Sequence, residues 1–306
     1  MPSLRKPRPL PPGGTLGIVA PAFPIDPEKL AAGEAMWRGL GFRTRRRDDL
    51  LAAEGYLAGD DGRRAKELME LLLDPEVDAV VCARGGYGCH RIVSRLDAAR
   101  VREAAKPIVG YSDVTTLLLW LRRHAGLVAF HGPMLEKGDG QPPEALASLV
   151  EALTGRGAPT LLRGAPGGGG RRRGRLVGGN LVTLAASLGT PWEPDTRGAI
   201  LLLEEIGERP YRIDRMLQQL LAAGKLAHLA GLGVGQLVGC DDARYPTPTA
   251  EQVIEDVVRP LGIPFVHGLA FGHGVPNLTW AHGVRAEIDG DAGLVRALEK
   301  GVSAAR

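Results

Sequence analysis

The chain has 306 residues, of which 44% are hydrophobic and 24% are charged, and its formal net charge is +3. This composition is ordinary for a globular protein, and the length suits about two domains. The small net charge gives no reason to expect a nucleic-acid partner. The longest apolar runs, Leu117–Leu121 and Ala199–Leu203, are far too short to cross a membrane, and residues 1–14 lack the apolar core of a signal peptide.

Cysteine usage and motif spacing limit the redox compartment and the cofactors. Cys82, Cys89 and Cys240 are an odd number without zinc-type spacing, so we expect free thiols in a reducing cytoplasm. No His-x-x-x-His or carboxylate–histidine spacing typical of a metal site occurs, and no dinucleotide fingerprint is present. We therefore expect neither a metal nor another cofactor.

Strands and helices alternate through the first half of the chain. Apolar runs predict strands over 15–22, 79–83, 107–111 and 128–131, and a polar strand is predicted over 42–47. Helical spacing between them predicts helices over 27–40, 60–73, 89–96, 114–124 and 143–153. This alternation predicts a doubly wound parallel sheet with right-handed crossovers, in an N-terminal α/β domain over 1–154.

The composition changes after residue 154. Residues 155–175 are rich in glycine, proline and arginine, with four consecutive glycines at 167–170, and we interpret them as a linker. Beyond the linker the predicted strands are shorter, at 199–204, 232–238, 265–270 and 284–288, with predicted helices at 180–188, 213–221 and 250–258. This pattern indicates a smaller C-terminal α/β domain over 176–306.

A serine follows the fourth predicted strand directly. Gly110-Tyr-Ser112-Asp113 separates that strand from an apolar helical pattern, which places Ser112 on a sharp strand-to-helix turn. A serine in this position can expose its Oγ at the top of a sheet, close to the positive end of a helix. A helix cap is the alternative interpretation of Ser112 by itself, and Asp113 suits the first turn of the helix.

A glycine-rich turn follows the third predicted strand. In Arg84-Gly85-Gly86-Tyr87-Gly88, the glycines would let backbone N–H groups approach a ligand and bind an anion or an oxyanion. The segment lacks the Gly-Lys-Ser/Thr of a phosphate loop. Taken alone, the segment is better interpreted as a tight turn.

Two carboxylates and a histidine lie at further strand ends. Glu204 and Glu205 end an apolar strand, and because neighbouring residues point to opposite sides only one can face a given site. His273 lies between two glycines, which leave its ring sterically open, although His267 and His282 also lie near strand ends. Serine, carboxylate, histidine and a glycine-rich cradle supply every part needed for acyl transfer.

Several motifs together resemble the LD-carboxypeptidase family, serine peptidases of the muramoyltetrapeptide carboxypeptidase type. They extend over nearly the whole chain: residues 19–22, 55–60, 75–80, 83–88, 110–113, 131–134, 178–181, 203–217 and 271–273 with Asn277. The resemblance implies a Ser112–Glu204–His273 triad, an oxyanion hole from the backbone N–H groups of Gly86 and Asp113, and an active site between a flavodoxin-like domain and a smaller one.

The same resemblance implies a substrate and an assembly. The expected reaction releases terminal D-alanine from murein tetrapeptide in the cytoplasm, without a metal, in a homodimer. The substrate ends in a carboxylate, so we expect a cation nearby, with Arg84 as a candidate that could equally be a structural ion-pair partner. We assign substrate binding to Arg84, Gly85, Tyr111 and Asn180, and expect Glu205→Ala to leave activity nearly unchanged.

Three alternatives to this function stay open at the level of the sequence. Some relatives cleave the acyl-sulfamoyl adenylate of a peptide antibiotic and confer immunity to it. An α/β-hydrolase esterase would share the order of the triad, but Val114 stands where its Gly-x-Ser-x-Gly motif needs glycine. A non-catalytic protein that binds a small ligand by hinge closure would also have two α/β domains.

Overall fold

The structure is a computed structural model that describes residues 4–138 and 140–304. These residues separate into two units, each built around its own sheet. The first unit contains the described residues up to Ala158, the segment Thr279–Ala281 and the described residues from Lys300; the second contains Pro159–Leu278 and His282–Glu299. Two α/β units confirm the predicted fold class.

The sheet of the first unit has the order β12-β5-β4-β3-β1-β2. Its strands are β1 (Thr15–Val19), β2 (Arg43–Arg45), β3 (Ala79–Cys82), β4 (Ile108–Gly110), β5 (Phe130–His131) and β12 (Trp280–Ala281). The first five strands pair in parallel, and only β12 is antiparallel. Counted from β2, the parallel strands follow the order 2-1-3-4-5 of flavodoxin-like folds, as predicted.

Helices follow these parallel strands along the chain. They are α1 (Pro27–Gly39), α2 (Asp61–Leu73), α3 (Cys89–Ile92), α4 (Ala98–Ala104), α5 (Thr115–Trp120), α6 (Leu135–Gly138) and α7 (Pro143–Thr154). The Asp60 side chain accepts a hydrogen bond from the Arg63 N–H and so begins α2. The helix predicted over 114–124 is α5, preceded by a 3₁₀ turn at Ser112–Val114 and followed by a π-helical turn at Leu121–Ala125.

The second unit holds an eight-stranded sheet of order β6-β14-β13-β8-β9-β10-β11-β7. Its strands are β6 (Leu161–Arg163), β7 (Ala165–Pro166), β8 (Arg171–Asn180), β9 (Ala199–Ile206), β10 (Gly231–Val238), β11 (Phe265–His267), β13 (Arg285–Asp289) and β14 (Leu294–Ala297). The four central strands β8 to β11 are parallel, and the outer ones pair antiparallel. The helices are α8 (Leu181–Ala186), α9 (Pro210–Ala222) and α10 (Ala250–Val258).

The interpretation of residues 155–175 as a linker was wrong. The segment contains β6, β7 and the first half of β8, and β8 pairs with β13 along Arg171–Arg175. Arg171 forms an ion pair with Asp289 at 2.6 Å, and Arg173 forms one with Glu287 at 2.9 Å. The arginine run is therefore one side of a charge-paired strand ladder rather than a solvated connection.

Candidate active site

Ser112 lies on a strained turn between β4 and α5. Its φ is +62°, a left-handed backbone conformation that is uncommon for residues other than glycine. Such an outlier is held only where the surrounding structure over-determines it, and such residues cluster at functional sites. The geometry is that of a sharp strand-to-helix turn that presents a nucleophilic side chain.

The glycine-rich loop after β3 packs directly against this serine. A Cβ atom at Gly85 would lie 2.9 Å from the Ser112 Cβ and 3.0 Å from its Oγ. Any side chain at residue 85 would therefore press on the hydroxyl group, so the close approach requires glycine. The backbone N–H groups of Gly86 and Asp113 as oxyanion donors stay a prediction.

The Asp113 side chain ties the serine turn to the end of the same loop. Its Oδ2 accepts a hydrogen bond from the backbone N–H of Cys89, the first residue of α3, at 2.8 Å. Asp113 is 5% exposed, and burial raises the pKa of its carboxyl group. Asp113 thereby fixes the spacing between the two loops that would form the oxyanion hole.

Two predicted substrate contacts in the first unit have partners within the protein. The Arg84 guanidinium forms an ion pair with Glu136 at 3.3 Å and donates to the Pro24 carbonyl at 3.2 Å. Tyr111 is buried, with its ring centroid 5.7 Å from that of His131. Arg84 is thus a structural ion-pair partner, which was the alternative interpretation, and substrate contacts by either residue stay predictions.

Glu204 and His273 form a buried acid–imidazole pair in the second unit. The His273 Nδ1 lies 2.6 Å from the Glu204 Oε2, and the carboxylate is fully buried at the end of β9. A bond through Nδ1 fixes the ring orientation and leaves Nε2 as the nitrogen that can act as a base. The pair needs glycine at residue 272, where φ is +121° and a Cβ would lie 2.9 Å from the Glu204 Cβ.

Hydrogen bonds on both sides hold the backbone of His273. The Gly272 N–H donates to the Asn277 Oδ1 at 3.0 Å, and the Gly274 N–H donates to the Gln236 Oε1 at 2.8 Å. Gln236 also donates from Nε2 to the Pro276 carbonyl at 2.9 Å. Sequence reasoning missed Gln236, although a polar residue near the carboxyl end of the apolar β10 was a usable signal.

Glu205 is a buried hydrogen-bond acceptor, and the expectation that its loss leaves activity nearly unchanged stays a prediction. It is 1% exposed and accepts hydrogen bonds from the Asn180 side chain at 2.9 Å and from the backbone N–H groups of Val182 and Ile206, both at 2.8 Å. Burial raises its pKa to about 7. Asn180 also accepts from the Thr183 N–H and caps α8, so its assignment to substrate binding stays a prediction.

The structure also describes the two competing histidines and the three cysteines, of which Cys89 lies at the end of the loop that donates to Asp113. His267 Nδ1 contacts the Glu251 carboxylate, and His282 is fully buried. The three cysteines are free, as predicted, and buried, and burial raises the pKa of each thiol.

Within residues 4–138 and 140–304, no group of three or more His, Cys, Asp or Glu side chains could hold a metal ion. No helix among these residues is long and apolar enough to span a membrane.

Comparison with protein families supplies the context for this geometry. Residues 16–132 match the LD-carboxypeptidase N-terminal domain, and residues 173–288 match the LD-carboxypeptidase C-terminal domain. The chain belongs to the LD-carboxypeptidase family. Membership of this family makes the protein a hydrolase that acts on peptides, as the resemblance of its motifs predicted.

Full-length relatives within the LD-carboxypeptidase family carry related names. A Bacillus subtilis protein described as a "probable murein peptide carboxypeptidase" is 39% identical over 97% of this chain and 95% of its own length. The Pseudomonas aeruginosa murein tetrapeptide carboxypeptidase is 32% identical over 91% and 94%. The Escherichia coli microcin C7 self-immunity protein MccF is 26% identical over 92% of each chain.

Solved structures of LD-carboxypeptidase relatives share the two-domain fold. The muramoyltetrapeptide carboxypeptidase of Oxalobacter formigenes matches with a TM-score of 0.84 and 31% identity, over 92% of this chain and 97% of that one. MccF matches with a TM-score of 0.90 over 97% and 99%, at 24% identity. Because the sequence identity to MccF is this low, its likeness to this chain concerns the fold alone.

Proposed function

We propose that this protein is a serine carboxypeptidase that releases the terminal D-alanine of a murein tetrapeptide. His273 Nε2 removes the proton of Ser112, whose Oγ attacks the carbonyl carbon before the D-residue. Glu204 keeps the imidazole in the productive tautomer and stabilises the imidazolium that forms. The collapse of the tetrahedral intermediate expels D-alanine, whose amine takes the proton from His273, and water then hydrolyses the acyl-enzyme in the same two steps.

Backbone groups would stabilise the developing negative charge. The N–H groups of Gly86 and Asp113 are the proposed donors to the oxyanion, and preorganised donors of this kind contribute about 10²- to 10³-fold to the rate. The link between Asp113 and Cys89 supports their preorganisation, because it joins the two donor-bearing loops. The proposal needs no metal, and it includes the cytoplasm as location and a homodimer as assembly.

The buried Glu204–His273 pair is the observation that carries this proposal. A general base with its own orienting carboxylate has little use in a binding protein, which argues against a non-catalytic function. The substrate class is supported by the full-length relatives named murein peptide and murein tetrapeptide carboxypeptidases. MccF is less similar in sequence than these two relatives, at 26% identity. It therefore gives weaker support to an antibiotic adenylate as the substrate.

The test is release of the terminal residue from two tetrapeptides that differ only in ending with D-alanine or L-alanine. A site built for the D-centre should lose one charge-assisted contact with the L-peptide, worth about 10- to 100-fold in kcat/KM. Equal rates would refute the LD-specificity while sparing the triad. Hydrolysis of an acyl-sulfamoyl adenylate without release of D-alanine would favour the MccF-type activity.

A further inference from the structure

A β-bulge places Gln236 beside the strand that carries Glu204. Gly235 and Gln236 of β10 stand together opposite the single residue Glu204 of β9, because the register shifts between two flanking pairs, Val234–Leu203 and Leu237–Glu205. The extra residue of a bulge bends the strand locally and re-aims its side chains, and bulges are over-represented next to active sites. The bulge therefore sets where the Gln236 side chain points.

The same bulge lies against the segment that leads to His273. The Gln236 N–H donates to the Phe271 carbonyl at 2.9 Å. A Cβ atom at Gly235 would lie 2.5 Å from that carbonyl oxygen, so this close approach of two backbones requires glycine. Backbone contact thereby fixes β10 against the chain before His273.

The amide group of Gln236 holds the chain on the other side of His273. Its Oε1 accepts a hydrogen bond from the Gly274 N–H at 2.8 Å, and its Nε2 donates to the Pro276 carbonyl at 2.9 Å. A Cβ atom at Gly274 would lie 2.8 Å from the Gln236 Cδ, so the amide packs closely on this backbone. An uncharged amide accepts and donates at once, whereas the thioether of methionine, which has a similar size, is only a weak acceptor.

Gln236 thus bonds to the chain on both sides of His273 and stands opposite Glu204. The contact of 2.6 Å between the His273 Nδ1 and the Glu204 Oε2 joins two separate segments, and Gln236 lies against both of them. Displacement of a catalytic group is costly, since an error of about 1 Å can lower a rate about 10²-fold. We propose that Gln236 is a positioning residue that aligns the His273 imidazole for proton transfer, an inference that rests on the proposed function.

A double-mutant cycle tests whether Gln236 acts through His273. The rate at which a fluorophosphonate labels Ser112 is measured in the full-length wild type, in Gln236→Met, in His273→Ala and in the double variant. Gln236→Met should slow labelling by about 10- to 100-fold in the presence of His273, but by less than about twofold when residue 273 is already alanine. Equal slowing in the two backgrounds, or no slowing in either, would overturn the proposal.

Two further variants separate positioning from a loss of stability, and thermal unfolding is followed for each protein. Gln218→Met breaks the exposed Gln218–Asp214 hydrogen bond on α9 and, as the matched control, should be labelled at the wild-type rate. Gly274→Ala forces the Gln236 amide aside and should slow labelling as Gln236→Met does. If Gln236→Met does not fold, Gly274→Ala replaces it in the cycle, and labelling of folded Gly274→Ala at the wild-type rate would overturn the proposal.

Release of D-alanine from murein tetrapeptide distinguishes failure of this inference from failure of the proposed function. In Gln236→Met, kcat should fall by about 10- to 100-fold while KM stays within about threefold of wild type, because the base acts in the chemical step. Labelling that depends on Gln236 only when His273 is present, without D-alanine release by the wild type, would uphold the positioning role and refute the carboxypeptidase. D-alanine release by Gln236→Met at the wild-type kcat would refute the positioning role and leave the carboxypeptidase standing.

Discussion

The Glu204 carboxylate and the His273 imidazole meet at 2.6 Å although they are 69 residues apart in the chain. Glu204 stands near the end of β9, while His273 lies in the loop beyond β11, on the other side of β10. The carboxyl ends of neighbouring parallel strands meet at one edge of a sheet, which is where open α/β folds assemble their ligand sites. The pair is therefore a direct product of the strand order.

Loss of the Glu204 charge should reduce catalysis strongly. Glu204→Gln keeps the size of the side chain but removes the carboxylate that fixes the tautomer and stabilises the imidazolium, so we expect kcat to fall by about 10³- to 10⁴-fold. Glu251→Gln is the matched control, because it breaks the His267–Glu251 contact outside the proposed site. Steady-state release of D-alanine measures both variants. A Glu204→Gln enzyme within tenfold of wild type would contradict the assigned role.

A side chain placed against Ser112 should lower the rate of catalysis without unfolding the protein. Gly85→Ala would place a methyl group 3.0 Å from the Ser112 Oγ, and we expect kcat to fall by about 10²-fold because small displacements of a nucleophile are costly. Gly39→Ala in α1 meets no atom within 4 Å and serves as the control. Thermal unfolding and activity are measured in parallel. Full activity of Gly85→Ala would mean that the loop does not pack on the reacting serine.

The buried Glu205 should make stability depend on pH. Its folded-state pKa of about 7 lies above the usual value of 4.5, so the stability it contributes is complete below pH 4.5 and is lost as the pH rises through 7. This difference corresponds to a change on the order of 3 kcal/mol. In Glu205→Gln this titration is absent, so the stability of wild type relative to the variant should decline between pH 4.5 and pH 8. Urea unfolding at several pH values measures it, and parallel curves for the two proteins would exclude the effect.

The parallel strands of the first sheet could be located to within three residues at each end, because they follow from local runs of residues and the turns that separate them. The antiparallel β12 was not predicted. The same patterns singled out Ser112 and the acid and base candidates. The strands within 155–175 could not be found in this way. Their antiparallel partners, β11, β13 and β14, lie at least 100 residues later, and glycine-rich composition resembles that of a flexible linker until those partners are known.

The role of Glu205 was missed for a related reason. Strand alternation correctly predicts that Glu204 and Glu205 point to opposite sides, but it does not say what lies on the second side. In the structure that side holds the start of α8, whose Val182 N–H needs an acceptor. The Glu205 carboxylate thus joins β9 to α8 by accepting from the Val182 N–H, beside the Asn180 cap.

Fluorophosphonate labelling tests the central claim most directly, because only a serine activated by a base reacts readily with this probe. The labelled protein is digested and the modified residue is identified by mass spectrometry, in wild type, Ser112→Ala and His273→Ala. We expect one adduct, on Ser112, which is absent from Ser112→Ala and forms at least 100-fold more slowly in His273→Ala. Labelling of another serine, or labelling of Ser112 at the wild-type rate without His273, would contradict the proposed triad.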